Sequence, residues 1–263
     1  MSTAPQSPIE RPRQPAYKCF PLIMAAFVTV LLCSNMIGPG KSCLVNVLGF
    51  SIVFGAGNIF FPLSYIFGDI LTEVYGYAKS RKVIWAGFFA LLFYVFMAQV
   101  IIHLPQNPDE PFNKVMQPAI EVCFGAGPRI VAASLLAFWL GDFANSYVMA
   151  KMKVWTRGRF LWTRTIGSTM VGQFVDSIVF YPLAFASIEG LAAGAGVELP
   201  AFLRGGWTPG TVVQVSIFNW LFKVGVEVVM TPLTYAACNW LKRAEGVDHY
   251  DTDTNFTPFS LKD

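Results

Sequence analysis

Charge and histidine are both scarce in this chain. Only 13% of its 263 residues are Asp, Glu, Lys or Arg, against about 25% in soluble globular proteins. So few charges cannot solvate a surface that faces water on every side. Two histidines are present, His103 and His249, and none of the five cysteines (Cys19, Cys33, Cys43, Cys123 and Cys238) stands in a C-x-x-C pair. That argues against a zinc site, and no metal or cofactor is expected. There is no glycine-rich phosphate loop and no nucleophile motif, which argues against an enzyme. The formal net charge is +3 without a basic stripe, so nucleic acid is not an expected partner. What remains is apolar. Hydrophobic residues make up 54%, phenylalanine occurs 24 times, and the mean hydropathy is +0.51. The composition is that of an integral membrane protein in contact with a lipid bilayer.

A bilayer-spanning helix needs about 20 mostly apolar residues. Six segments qualify, approximately Cys19–Ile37, Phe50–Tyr77, Val83–Leu104, Pro128–Ala150, Phe160–Ser187 and Thr211–Leu241. The expected fold is all-α, a six-helix transmembrane domain over residues 19–243. A disordered tail precedes it (1–18) and a polar tail, also expected to be disordered, follows (244–263). The second helix is expected to break near Pro62. Lys and Arg fall on alternate loops. One set holds Arg11, Arg13, Lys18, Lys79, Arg81, Lys82, Lys151, Lys153, Arg157, Arg159, Arg164, Lys242, Arg243 and Lys262; the other holds only Lys41, Lys114, Arg129 and Arg204. The positive-inside rule then places both termini in the cytoplasm. Gly-rich faces on the second and fifth helices would allow a homodimer.

The few polar residues within the spans stand out. "GDILTEVYG" puts Asp69 and Glu73 on one helix face. "WLGDFANSYV" holds Asp142 and Asn145, and "RTIGSTMVGQFVDSIVF" holds Arg164, Ser168, Gln173 and Asp176, with Gly167 and Gly172 allowing close helix approach. Asn219, Lys223, Glu227 and Thr231 recur at steps of four; Asn35 and Asn58 lie in the first two segments. Each of these has an ordinary reading: an interfacial Glu73, a Lys223–Glu227 pair along one helix, an Arg164 that anchors the membrane boundary. As a set they imply a bundle with a polar interior cavity, as in a transporter or channel. The cavity is rich in carboxylates, which suits a cation or a ligand with several N–H donors. Phe60, Phe61, Tyr65, Tyr75 and Trp139 could supply stacking faces.

The stretch "PLSYIFGDILTEVYGYAKSRKVIWAGF", with "RTIGSTMVGQFVDSIVF" and "FKVGVEVVMTPLTY", resembles the queuosine precursor transporter family, also called the vitamin uptake transporter family. The resemblance runs from about Asn35 to Leu241. It implies a bacterial inner-membrane importer of the 7-deazaguanines preQ0 and preQ1, destined for tRNA modification. It carries the family's positions onto Asn35, Asp69, Glu73, Ser168, Gln173, Asp176, Lys223 and the Thr231-Pro232 corner. The fourth span departs from the family pattern. A Gln is usual there with an Asp three residues later; here the order is Asp142, Asn145. The candidate substrate-binding set is therefore Asn35, Asn58, Asp69, Glu73, Asp142, Asn145, Ser168, Gln173, Asp176, Lys223 and Glu227. Asp176 or Asp69 is the expected reader of the purine edge, with Lys223 neutralising an acid. Other readings are an importer for another vitamin or purine-like solute, a six-helix binding subunit that needs an energising partner, or a membrane enzyme.

Overall fold

The structure, a computed structural model, describes residues 17–37, 42–47, 50–55, 60–125, 127–187 and 206–260. Helix α1 spans Phe20–Ile37. Strands β1 (Ser42–Val47) and β2 (Phe50–Gly55) follow and pair antiparallel, with Ser42 opposite Gly55 and Val47 opposite Phe50. Then come α2 (Phe61–Tyr75), α3 (Tyr77–His103), α4 (Asn113–Phe124), α5 (Pro128–Trp155), α6 (Leu161–Phe185) and α7 (Pro209–Glu245).

Several expectations are corrected. The fold is mostly helical but not all-α, because "FSIVFG" is a strand rather than the start of the second helix. A short Val/Ile/Phe run has no period that separates strand from helix. Pro62 does not break a helix. It opens α2 in the first turn, where its missing N–H costs nothing and its fixed φ is already helical. Helix α3 begins six residues earlier than expected, so Lys79, Arg81 and Lys82 lie in its first turns instead of a loop. A further helix, α4, occupies part of the expected third loop. Asn58 and the tail 1–16 lie outside the described residues.

Among the described residues, three helices are long and apolar enough to cross a membrane: Tyr77–His103, Arg129–Trp155 and Pro209–Glu245. Helix α6 has 25 residues but carries Arg164, Gln173 and Asp176 in its body, and α1 and α2 are 18 and 15 residues long. Large apolar side chains on α3 (Phe89, Phe93, Phe96) and α7 (Val229, Leu233, Trp240) point outward. An apolar surface of this kind is covered by lipid rather than water.

Helices α5 and α6 pack most closely. They cross at two glycines. A Cβ at Gly172 would lie 2.6 Å from the Asn145 Cβ and 2.9 Å from the Gly141 carbonyl oxygen; one at Gly141 would lie 3.0 Å from the Asp176 Cβ. Only glycine at both positions lets the backbones meet. The crossing sets Asp142 and Asn145 of α5 beside Gln173 and Asp176 of α6.

The C-terminal segment is not the disordered tail its composition implied. Helix α7 ends at Gly246 (φ 64°), whose N–H donates to the Lys242 carbonyl. The chain then turns back across one end of the bundle. The Asp251 carboxylate accepts from the Tyr77 N–H at 3.1 Å, capping α3, and an acid there is favoured by the helix dipole. Arg81 donates to the carbonyls of Asn255 (2.7 Å) and Thr257 (3.0 Å), and the Trp85 indole donates to that of Pro258 (2.8 Å). Lys151 sits 4.0 Å from the centre of the Phe256 ring. Two left-handed glycines make room for this strap. A Cβ at Gly76 (φ 84°) would overlap the His249 ring, and one at Gly158 (φ 74°) would overlap the Tyr250 hydroxyl.

Candidate functional site

Four helices place polar side chains in the interior, and these sort into three layers; the first two are about one helical turn apart, and the third is met one turn further along α2 but roughly two to four turns further along the other helices. The rows run Asp69 to Glu73 on α2, Asp142 to Asn145 to Lys153 on α5, and Lys223 to Glu227 to Lys242 on α7. On α6 the row runs in reverse, Asp176 to Gln173 to Arg164, because that helix is antiparallel to the others.

The first layer lines a cavity of about 600 Å³, within the range of small-molecule sites. Lys223 and Asp176 form an ion pair across it at 2.5 Å (Nζ to Oδ2). The Lys223 ammonium also sits 5.6 Å from the centre of the Tyr65 ring. Asp142 lines the same cavity, and no described residue hydrogen-bonds or ion-pairs with its carboxylate. Gln173 and Asn35 reach the wall as well; the Asn35 amide donates back to the Leu31 carbonyl at 2.8 Å. Aromatic faces make up much of the rest: Tyr65, Tyr94, Phe138, Phe180, Tyr181 and Trp207. Trp207 stacks on Phe185 at 4.3 Å between centroids and on Tyr181 at 6.4 Å. Arg129 fixes this end of α6 by donating to the carbonyls of Leu183 (2.5 Å) and Ala186 (2.6 Å).

The second layer is buried, and Gln173 joins it to the cavity wall. Asp69, Asn145, Gln173 and Glu227 are all at most 6% exposed. The Asn145 amide donates to Asp69 Oδ1 at 2.8 Å. Ser168 lies nearby on α6, donating to the Thr165 carbonyl at 3.1 Å.

In the third layer Glu73 meets three cations. Arg164 donates to both of its oxygens (3.2 and 2.8 Å), Lys242 donates to Oε1 at 2.6 Å, and the Lys153 ammonium lies 3.6 Å from Oε1. Lys153 and Lys242 also reach Asp248 on the strap, at 2.5 and 2.9 Å. Arg164, Lys153 and Glu73 are at most 1% exposed.

Of the residues read from the sequence, Asn35, Asp142, Gln173, Asp176 and Lys223 gather at the cavity. Asp69, Asn145, Ser168 and Glu227 lie in or beside the buried layer, and Glu73 lies beyond it. Lys223 pairs with Asp176 on α6, not with Glu227 on its own helix. Among the expected stacking residues Tyr65 faces the cavity. Tyr75 packs instead on Tyr17 and Phe20, and Trp139 on Trp85 and Phe143. Tyr94, Tyr181 and Trp207 were missed. Nothing in their local sequence separates them from lipid-facing aromatics.

No solved structure matches the chain. The family described as "Putative vitamin uptake transporter" matches residues 55–237. A "Probable queuosine precursor transporter" from Bacillus subtilis (strain 168) is 32% identical over 217 residues, 82% of each chain. A "Queuosine precursor transporter" from Escherichia coli (strain K12) is 22% identical over 185 residues, 70% of this chain and 72% of that one. The interior layers, the lipid-facing helices and a match over most of the chain agree: this protein belongs to the vitamin uptake transporter family and is a membrane transporter, not an enzyme.

Proposed function

We propose that the chain imports 7-deazaguanine precursors of queuosine, preQ0 and preQ1, across the bacterial inner membrane, with both termini in the cytoplasm. The observation that carries the reading is the Asp142 carboxylate, standing without a partner among the described residues in an aromatic-walled cavity beside the Asp176–Lys223 pair. A deazaguanine offers a ring N–H and an exocyclic amine side by side, and one carboxylate accepts both. Its flat ring stacks on an aromatic face. Gln173 can donate to the ring carbonyl. The aminomethyl cation of preQ1 finds a second acid in Asp176; the nitrile of preQ0 carries no charge and does not need one. The names of the two relatives support the same substrate class. The orientation is supported by basic residues concentrated where the C-terminal strap crosses the helix ends: Arg81, Lys151, Lys153, Arg164 and Lys242.

The test is calorimetric and thermal-shift binding of preQ1, preQ0, guanine and queuine to detergent-purified protein, with Asp142→Asn and Asp176→Asn beside the parent. Micromolar or tighter binding of the deazaguanines, lost in Asp142→Asn and weakened for preQ1 in Asp176→Asn, is expected. A folded parent that binds none of the four refutes the substrate class.

A further inference from the structure

The buried second layer has a charge problem that substrate binding does not solve. Asp69 is 0% exposed and Glu227 is 2% exposed. The cations nearest to them are already taken: Arg164, Lys153 and Lys242 converge on Glu73, and Lys223 pairs with Asp176. Asp69 Oδ2 and Glu227 Oε1 have no hydrogen-bond partner among the described residues, and neither do the amide oxygens Asn145 Oδ1 and Gln173 Oε1 of the same layer. The charged groups that act most strongly on Asp69 are acids: Glu227, Glu73 and Asp142. The Cys238 thiol adds no positive charge. Isolated buried carboxylates are costly enough that they neutralise or bind a cation.

A route leads from the cavity to this layer. A void of about 10 Å³, room for one water, is lined by Asp142, Asn145, Ser80 and Ser146. Asp142 also lines the cavity, and Asn145 holds Asp69. Ser80, Ser146 and Thr72 form a closed set of hydroxyl contacts of 3.0–3.1 Å at the same place.

We propose that Asp69 and Glu227 form a proton-binding pair that couples substrate movement to the proton gradient. A proton enters from the cavity through Asp142 and the water-sized void. It forms an O–H bond on one carboxylate of the pair and leaves when that bond breaks towards the opposite face. Nothing is oxidised or reduced; the pair alternates between one negative charge and two. Loading the pair removes charge from a buried layer that holds no cation among the described residues, which is what allows α2 and α7 to move past each other around a filled site. Unloading restores the repulsion and favours the other state.

The transport arm of the test rests on the substrate reading above; the spectroscopic arm does not. In the first arm, proteoliposomes are given a pH gradient or a Na⁺ gradient and preQ1 is followed. The parent should concentrate preQ1 with the pH gradient alone. Asp69→Asn and Glu227→Gln should lose concentration and only equilibrate, while still exchanging internal for external preQ1. In the second arm, infrared spectra of purified protein at neutral pH should contain a protonated-carboxyl C=O band that Asp69→Asn or Glu227→Gln removes. A band that neither variant alters, or no such band, overturns the proposal. So does accumulation driven by Na⁺ instead of H⁺. If the parent moves no deazaguanine at all, the substrate reading fails and the infrared arm alone decides the pair. Both substitutions are near-isosteric, and if one variant does not fold the other serves.

Discussion

Glu73→Gln is the substitution expected to damage the fold most for its size. The cluster around Glu73 contains three cations, Arg164, Lys153 and Lys242, and two acids, Glu73 and Asp248. Its formal charge is +1, and the amide raises that to +2 in a site where Arg164 and Lys153 are each 1% exposed. Removing one partner of a buried ion pair costs about 3–5 kcal/mol, because the other charge is left stranded. For a chain of this size 1 kcal/mol corresponds to roughly 2–4 °C, so the unfolding midpoint should fall by on the order of 10 °C. Arg164→Gln should cost less, since Glu73 keeps both lysines. The double variant returns the cluster to +1 and should be more stable than Glu73→Gln alone, with a coupling of about 0.5–3 kcal/mol. Thermal unfolding of all four proteins in detergent gives the cycle. A Glu73→Gln midpoint within about 2 °C of the parent, or a double variant that simply adds the two losses, would refute the reasoning.

Gly172→Ala should separate α5 from α6, since the new Cβ meets the Asn145 Cβ and a backbone oxygen; overpacking of this kind costs about 1–3 kcal/mol, read as a lower unfolding midpoint together with lost substrate binding. Lys223→Met frees Asp176 and makes the cavity more acidic, so preQ1 should gain over preQ0 by about tenfold, or 1.4 kcal/mol, in competitive binding. Asp248 lies beyond α7. Burial raises its carboxyl, but hydrogen bonds from Lys153 and Lys242 outweigh that and hold it below the usual carboxylate range. A carboxyl depressed in the folded state adds stability above its ordinary value, and that stability is lost as pH falls through the depressed one. The strap should therefore resist protease at neutral pH and loosen only below about pH 4, whereas Asp248→Asn should loosen it already at pH 7.

The membrane class was legible because composition alone decides whether a surface can be solvated. The interior polar set was legible because an ionised group within a span is rare enough to be noticed one residue at a time. Sorting that set was not. Asp69 and Glu73 are one turn apart and look alike in sequence, yet one lies in a layer without cations and the other holds three. The difference comes from Arg164, Lys153 and Lys242, which are 91, 80 and 169 residues away from Glu73. The sequence counts Lys153 and Lys242 only as markers of orientation, and Arg164 both as such a marker and as one of the interior polar residues. The strap was misread for a related reason. Segments poor in apolar side chains read as disordered, but this one is held largely by its backbone carbonyls and by Asp248 and Asp251. Its sockets are positively charged or N–H-bearing groups on α3, α5 and α7. Strand β2 was misread because a six-residue, largely apolar run carries no usable period.

The exchange of acid and amide in α5 now has a physical meaning. Asp142 faces the cavity and Asn145 bonds Asp69 in the buried layer. With the order that the family resemblance implies, Gln then Asp, the acid would stand in the buried layer and the amide in the cavity. The double variant Asp142→Gln/Asn145→Asp restores that order without changing the net charge of the protein. It removes one carboxylate from the substrate layer and brings the acids of the buried layer to three. If Asp142 reads the ligand, affinity for both deazaguanines should drop, and more for cationic preQ1 than for neutral preQ0. If the buried layer takes protons, the third acid should strengthen the protonated-carboxyl infrared band at neutral pH, because three carboxyls without a cation cannot all ionise. The two readouts are independent. Unchanged binding would move the recognition role from Asp142 to Asp176, and an unchanged infrared band would mean that the introduced carboxylate reaches a cation which the amide of Asn145 does not.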